Sequence, residues 1–199
     1  MLQRTIATDP IRLPSPSLPA TGIIRRLWPG DVALVRDHLL RLDPDSRRSR
    51  FTGAVSDAFL ETYAERALLS DGLVLGYRAG DGLRGVAELQ MVDETRAEAA
   101  FSVEAGYRRR GVGAALFRRI LLGARNRGAR TVHLRCLPHN RAMQALARRH
   151  GARLVFDGDE MVGEVATRGP TPASIWEEAF AEGLTLPLAL LDRRPRLTA

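Results

Sequence analysis

The chain has 199 residues, a 45% hydrophobic fraction and a formal charge of +7, which fits one domain with tails better than two independent domains. All thirty basic residues are arginine, so the Lys-rich tail that coats nucleic acid is absent, and the charge favours an anionic partner without choosing one. The single Cys136 excludes an intramolecular disulfide and any Cys-built metal site, and no stretch reaches the roughly 18 apolar residues of a membrane span. A reducing, cytoplasmic setting is the expectation.

The first twenty residues carry four prolines and no apolar h-region, and they read as a mobile leader over 1–20 rather than a signal peptide or anchor. A domain is expected over 21–167 and a tail over 168–199. TGIIRRLWP opens the domain as a short strand. GDVALVRDHLLRL follows as a helix, with Val32, Val35, Leu39 and Leu40 on one face and Asp31 as its cap. DPDSRRSRF reads as a polar turn. SDAFLETYAERALL is a second helix with Phe59, Tyr63 and Leu68 or Leu69 inward.

Three strands come next, GLVLGYRA, LRGVAELQMV and AEAAFSVEA, separated by Gly80-Asp81-Gly82 and Asp93-Glu94-Thr95 and forming an antiparallel meander. GVGAALFRRILLGARNRG is a helix with Leu116, Ile120, Leu121 and Ala124 inward and a stop at Gly128. TVHLRCL is a strand placing Val132, Leu134 and Cys136 on one face. NRAMQALARRHG is a helix capped by Asn140 and stopped by Gly151, and ARLVF and EMVGEVAT close the domain as strands. In the tail, PASIWEEAFAEG is a helix whose Ile175, Trp176 and Phe180 are expected to dock on the domain.

The stretch GYRRRGVGAALFRR carries the chemistry. A strand entering a Gly-x-Gly turn and a helix presents successive backbone N–H groups and the positive end of a helix dipole, which together bind an anion. A dinucleotide fingerprint requires a third glycine where Leu116 stands, and a P-loop requires a lysine. Nucleic-acid binding would want aromatic residues among the basic ones, and only Tyr107 is near. What remains is a pyrophosphate cradle, set against the plainer reading of arginines on a solvated helix face.

With that cradle the sequence resembles the GNAT superfamily of acetyl-CoA-dependent N-acetyltransferases, whose diagnostic segment Q/R-x-x-G-x-G/A is matched by Arg108-Arg109-Arg110-Gly111-Val112-Gly113. AEAAFSVEAGYRRRGVG resembles the preceding strand of bacterial protein lysine acetyltransferases, and DPDSRRSRF is similar to their PES-R-RF stretch. NRAMQALARRHGA resembles the family's later Asn helix, with Asn140, Leu146 and Gly151 at its spacing. The resemblance covers residues 21–167. It implies an α/β (α+β) GNAT fold, a mixed and mostly antiparallel sheet splayed between its fourth and fifth strands and flanked by helices. It also implies acetyl-CoA as cosubstrate, with no metal. Arg108, Arg109, Arg110, Gly111, Val112, Gly113 and Ala114 would meet its phosphates, Phe101 and Val103 its pantetheine, and Asn140 would join them from the later helix. The Phe101 N–H would polarise the thioester carbonyl.

By the same resemblance Glu98, ten positions before Arg108, is the general base that deprotonates an amine, whose ordinary pKa is near ~10.4. Alternation puts Glu98, Ala100, Ser102 and Glu104 on one strand face and Phe101 and Val103 on the other, with Glu104 in reserve as base or relay. The plainer reading makes Glu98 a solvated sheet residue. The acceptor would be a small-molecule amine or a protein lysine, and the Arg-rich DSRRSRF segment would suit an acidic acceptor or a protein surface. The assembly would be a monomer or homodimer. One departure stands out: Ala147 occupies the place where the family helix often carries a tyrosine that protonates the leaving thiolate. A silent CoA-binding module is therefore the alternative to an enzyme.

Overall fold

A computed structural model describes residues 22–183. The leader over 1–20 and the end of the tail lie outside the described residues. In chain order the elements are β1 (Gly22–Arg26), α1 (Val32–Arg41), α2 (Pro44–Phe51), α3 (Asp57–Leu69), β2 (Leu73–Ala79), β3 (Gly82–Met91) and β4 (Arg96–Val103). There follow α4 (Val112–Asn126), β5 (Thr131–Cys136), α5 (Arg141–Arg149), β6 (Arg153–Asp157), β7 (Glu160–Ala166) and α6 (Pro172–Gly183).

The strands form one seven-stranded sheet in the order β1-β2-β3-β4-β5-β7-β6. Every neighbouring pair is antiparallel except β4 and β5, which run parallel. The meander of β2 to β4 arises as expected, from alternating apolar residues broken by turn chemistry. Alternation also divides the core. On one face Leu73, Leu75, Ala87, Leu89, Ala97 and Ala99 pack against Val112, Leu116 and Ile120 of α4. On the other, Val74, Leu83 and Val86 pack against Val35 and Leu39 of α1 and Leu60, Ala64 and Leu68 of α3. A third cluster, Phe117, Leu134, Ala147 and Val165, joins α4 and α5 to β5 and β7.

Four local expectations change. DPDSRRSRF is a helix rather than a turn: Asp43 caps α2 by accepting the Ser46 N–H at 2.9 Å, and Pro44 starts it. The α1 stripe includes His38, fully buried beside Val35 and Leu39. In α3 the inward residues are Leu60, Ala64 and Leu68, whereas Phe59 and Tyr63 form an aromatic cluster with Phe51, at ring distances of 5.6 and 5.0 Å. In α6, Ile175, Trp176 and Phe180 face outward. The helix docks through its polar side: Glu178 accepts from Arg127 at 2.8 Å and from Asn126 at 2.7 Å, and Asn126 also donates to the Ser174 carbonyl at 2.8 Å.

Candidate active site

The parallel ladder between β4 and β5 is short. It pairs Arg96 with Thr131, Ala97 with Val132 and Glu98 with His133, and then ends. Beyond it β4 continues to pair with β3 as far as Val103, while β5 continues with β7. The two strands therefore separate after Glu98, and the sheet opens where one polar main-chain edge of each strand is left to meet something other than its neighbour. Glu98 stands at the apex with its side chain half exposed, 3.9 Å from the Arg135 guanidinium. Phe101 turns the other way, and its ring stacks on Phe117 with centroids 4.9 Å apart. Val103 packs against the same α4-side core.

At the end of β4 the chain passes through a 3-10 turn, Ala105–Tyr107, into the cradle. Arg109 (φ 59°) and Gly111 (φ 83°) both take left-handed backbone conformations, and Gly111 is the N-cap of α4. Alternating left-handed residues before a helix start turn successive N–H groups toward one point, a concavity suited to an anion. A Cβ added at Gly111 would meet nothing within 4 Å, whereas one at Gly113 would touch Leu146 at 3.5 Å, an ordinary contact. The glycine at 111 is thus favoured by its backbone angle, and the one at 113 is not. Val112 is buried under the cradle and Ala114 is part-buried. Arg109 and Arg110 are exposed, the latter 5.7 Å from the Tyr107 ring. The Arg108 guanidinium is engaged within the protein, donating to the Val103 carbonyl at 3.1 Å and to Ser46 Oγ, and lying 3.5 Å from Asp43. Asn140 caps α5, its side chain accepting the Met143 N–H at 3.1 Å.

The β4 face bearing Glu98 also carries Ala100, Ser102 and Glu104, and α1, α2 and α3 shelter part of it. His38 Nε2 lies 2.9 Å from Ser102 Oγ, and its Nδ1 lies 3.3 Å from Glu104. Glu104 also accepts from Arg41 at 3.0 Å and Arg84 at 3.2 Å. Burial alone would raise its pKa, but the hydrogen bonds from His38 and Arg41 and the Arg41 charge outweigh burial and bring it down to about 2. Engaged by His38, Arg41 and Arg84, this carboxylate is a poorer proton acceptor than an ordinary glutamate. Opposite Ala100 in the ladder is Glu88 of β3. It receives Arg50 Nη2 at 2.7 Å and the Tyr63 hydroxyl at 2.6 Å. Burial, reinforced by the Glu88 charge, holds that phenol well above its ordinary pKa. Arg47 donates to the Leu40 and Leu42 carbonyls and to Asp57. Of the α2 arginines offered to an acidic acceptor, only Arg48 is exposed.

Sequence comparison agrees with this geometry. The profile of the acetyltransferase (GNAT) family matches residues 39–152, more than half of the chain. The chain belongs to the GNAT acetyltransferase family. No curated protein matches it by sequence. Among solved structures it is similar to the GNAT domain of S. lividans PAT, with 21% identity and a TM-score of 0.64 over 72% of this chain and 89% of that one. A GNAT-family acetyltransferase from Streptococcus pneumoniae shares 17% identity and a TM-score of 0.60 over 74% and 99%. YncA from Salmonella typhimurium, solved with its cofactor acetyl-CoA, shares 16% identity and a TM-score of 0.58 over 76% and 96%. At these identities the likeness is one of fold, and the mixed sheet opening between β4 and β5 is the GNAT sheet.

Two further positions gain meaning in a GNAT chain. Ala147 is fully buried between Phe117, Leu134 and Val165. Cys136 is buried, and burial pushes its thiol pKa upward, so it sits as a small core residue rather than an activated nucleophile. Among the described residues no three His, Cys, Asp or Glu side chains cluster as metal ligands, and no helix is long and apolar enough to cross a membrane.

Proposed function

We propose that the chain transfers the acetyl group of acetyl-CoA to a primary amine by direct attack, with Glu98 as general base. The observation carrying this reading is the position of Glu98, a half-exposed carboxylate at the last β4–β5 pair, where the strands part. The residues fit the cosubstrate. The left-handed Arg109 and Gly111 and the N–H groups of Val112, Gly113 and Ala114 would hold its pyrophosphate, with Arg109 and Arg110 adding charge. The opened edge of β4 near Phe101 and Val103 would hydrogen-bond the pantetheine, and the Phe101 N–H would hold negative charge developing on the thioester oxygen. Asn140 would support that wall by fixing the start of α5.

Glu98 accepts the amine proton from the opposite face of the same strand. A thiol has an ordinary pKa of about 8.5, so coenzyme A can leave as a thiolate near neutral pH and departure needs no protein acid. That is how a chain with Ala147 in place of the family tyrosine would still turn over. The same alanine favours the alternative of a CoA-binding module without catalysis. A small-molecule amine and a protein lysine both suit the proposal, and the lone reduced Cys136 suits a cytoplasmic setting.

Glu98→Gln tests the reading. Acetyl-CoA affinity should persist while turnover at neutral pH falls about 10²- to 10⁴-fold, and raising the pH should restore much of the loss. Full activity in Glu98→Gln would remove Glu98 from the mechanism.

A further inference from the structure

We propose that α2 is a strut joining the cofactor cradle to the acceptor face, and that Arg108 is the positioning residue tying it to the cradle. The inference rests on the acetyl-CoA reading for the cradle's ligand but assigns Arg108 a task other than phosphate contact. The first of the three cradle arginines is held by α2. Its Nε donates to the Val103 carbonyl, fixing the guanidinium to the end of β4, and its Nη2 donates to Ser46 Oγ beside the Asp43 carboxylate. Asp43 and Ser46 are the N-cap and first turn of α2, and Ser46 is buried. Asp43 is held below its ordinary pKa, mainly by the Ser46 hydrogen bond and further by the Arg108 charge, so it remains anionic beside the guanidinium.

The other end of the strut is fixed more firmly. Arg50 lies four residues beyond Ser46, on the same side of the helix. Its buried guanidinium binds Glu88 and the Tyr63 hydroxyl. Glu88 faces Ala100 in the ladder, and the next pair on that face is Gln90 with Glu98. Diagonal neighbours in such a ladder lie about 7–8 Å apart, so Glu88, which holds the Arg50 end of the strut, is the diagonal neighbour of Glu98. An anion that orders residues 108–113 therefore also orders Ser46, α2 and the wall next to Glu98. Because coupling between sites is reciprocal, bound CoA should favour the acceptor and bound acceptor should favour CoA.

The test combines amide hydrogen exchange on the full chain with calorimetric titration of CoA, for wild type, Arg108→Ala, Ser46→Ala and the double variant. Without ligand, Arg108→Ala should speed exchange over residues 45–51 about fivefold and leave α4 unchanged, and Ser46→Ala should do the same without adding to it. Saturating CoA should slow exchange over 45–51 in wild type and not in Arg108→Ala, whose CoA affinity should change less than about threefold. Equal CoA protection of α2 in both proteins would overturn the proposal. So would unaltered exchange in unliganded Arg108→Ala, or a loss of CoA affinity of tenfold or more, which would make Arg108 a phosphate ligand. If wild type binds no CoA, the acetyl-CoA reading fails, and the unliganded comparison alone decides the tie.

Discussion

Gly111→Val attacks the cradle where the backbone demands most. Gly111 has φ 83°, and its missing Cβ points into open space, so the cost to the free protein is conformational rather than steric. Left-handed geometry costs an L-residue roughly 1–2 kcal/mol, and a β-branched side chain sits at the upper end. For a domain of this size each kcal/mol moves Tm by about 2–4 °C, so the variant should remain folded and melt about 4–8 °C lower. The cofactor effect is separate. Acetyl-CoA at a hundred times its Kd should stabilise wild type by about 2.7 kcal/mol, a rise of about 5–10 °C. In Gly111→Val the isopropyl group fills the space the pyrophosphate would approach, and the rise should vanish. Gly113→Ala, where a Cβ meets only Leu146 at 3.5 Å, should keep it. Thermal melts with and without acetyl-CoA measure both, and a full ligand-induced rise in Gly111→Val would place the cofactor elsewhere.

Tyr63→Phe should retain turnover within about tenfold, because its hydroxyl donates to Glu88 and is held protonated by its surroundings. It should cost about 1–3 kcal/mol in denaturant unfolding, since Glu88 loses a buried donor. A hundredfold loss of rate with acetyl-CoA binding intact would instead identify Tyr63 as a relocated acid. Glu104 has a folded pKa of about 2 against an ordinary 4.5, so its stabilisation is fully present above about pH 4.5 and is lost as pH falls toward 2. The shift caps this at about 3 kcal/mol, and solvent screening of a part-exposed carboxylate lowers the expectation to about 1–2 kcal/mol. Unfolding free energies from pH 6 to 3 should fall less steeply in Glu104→Gln, and parallel curves would contradict the assignment.

Where alternation and turn residues agree, as in β2 to β4, the sequence alone locates the strands to within a residue or two, and the Gly-x-Gly turn marks the α4 cradle. Elements held by polar contacts are harder to see. The segment forming α2 has no apolar stripe, and what builds it is the Asp43 cap, the proline at its first position and arginines bonded to distant carbonyls. The first two signals are written in the sequence and outweigh the missing stripe. His38 occupies a core position between Val35 and Leu39, and its partners Ser102 and Glu104 lie 64 and 66 residues away, beyond any local pattern. The α6 helix runs against the rule that the apolar side docks, because Asn126 and Arg127 offer its polar side better partners. The parting of β4 from β5 has no local signal. It was legible only through family resemblance, because a strand pattern states which face is buried and not where a ladder ends.

The most direct measurement is thiol release from acetyl-CoA by the full chain, followed with a chromogenic reagent against polyamines, aminoglycosides, amino acids and lysine peptides, with products weighed by mass spectrometry. Release should depend on one class of amine, be matched mole for mole by that amine gaining an acetyl group, and be lost in Glu98→Gln. Tight acetyl-CoA binding with no amine-dependent release across the panel would contradict acetyl transfer and leave the chain a binding module.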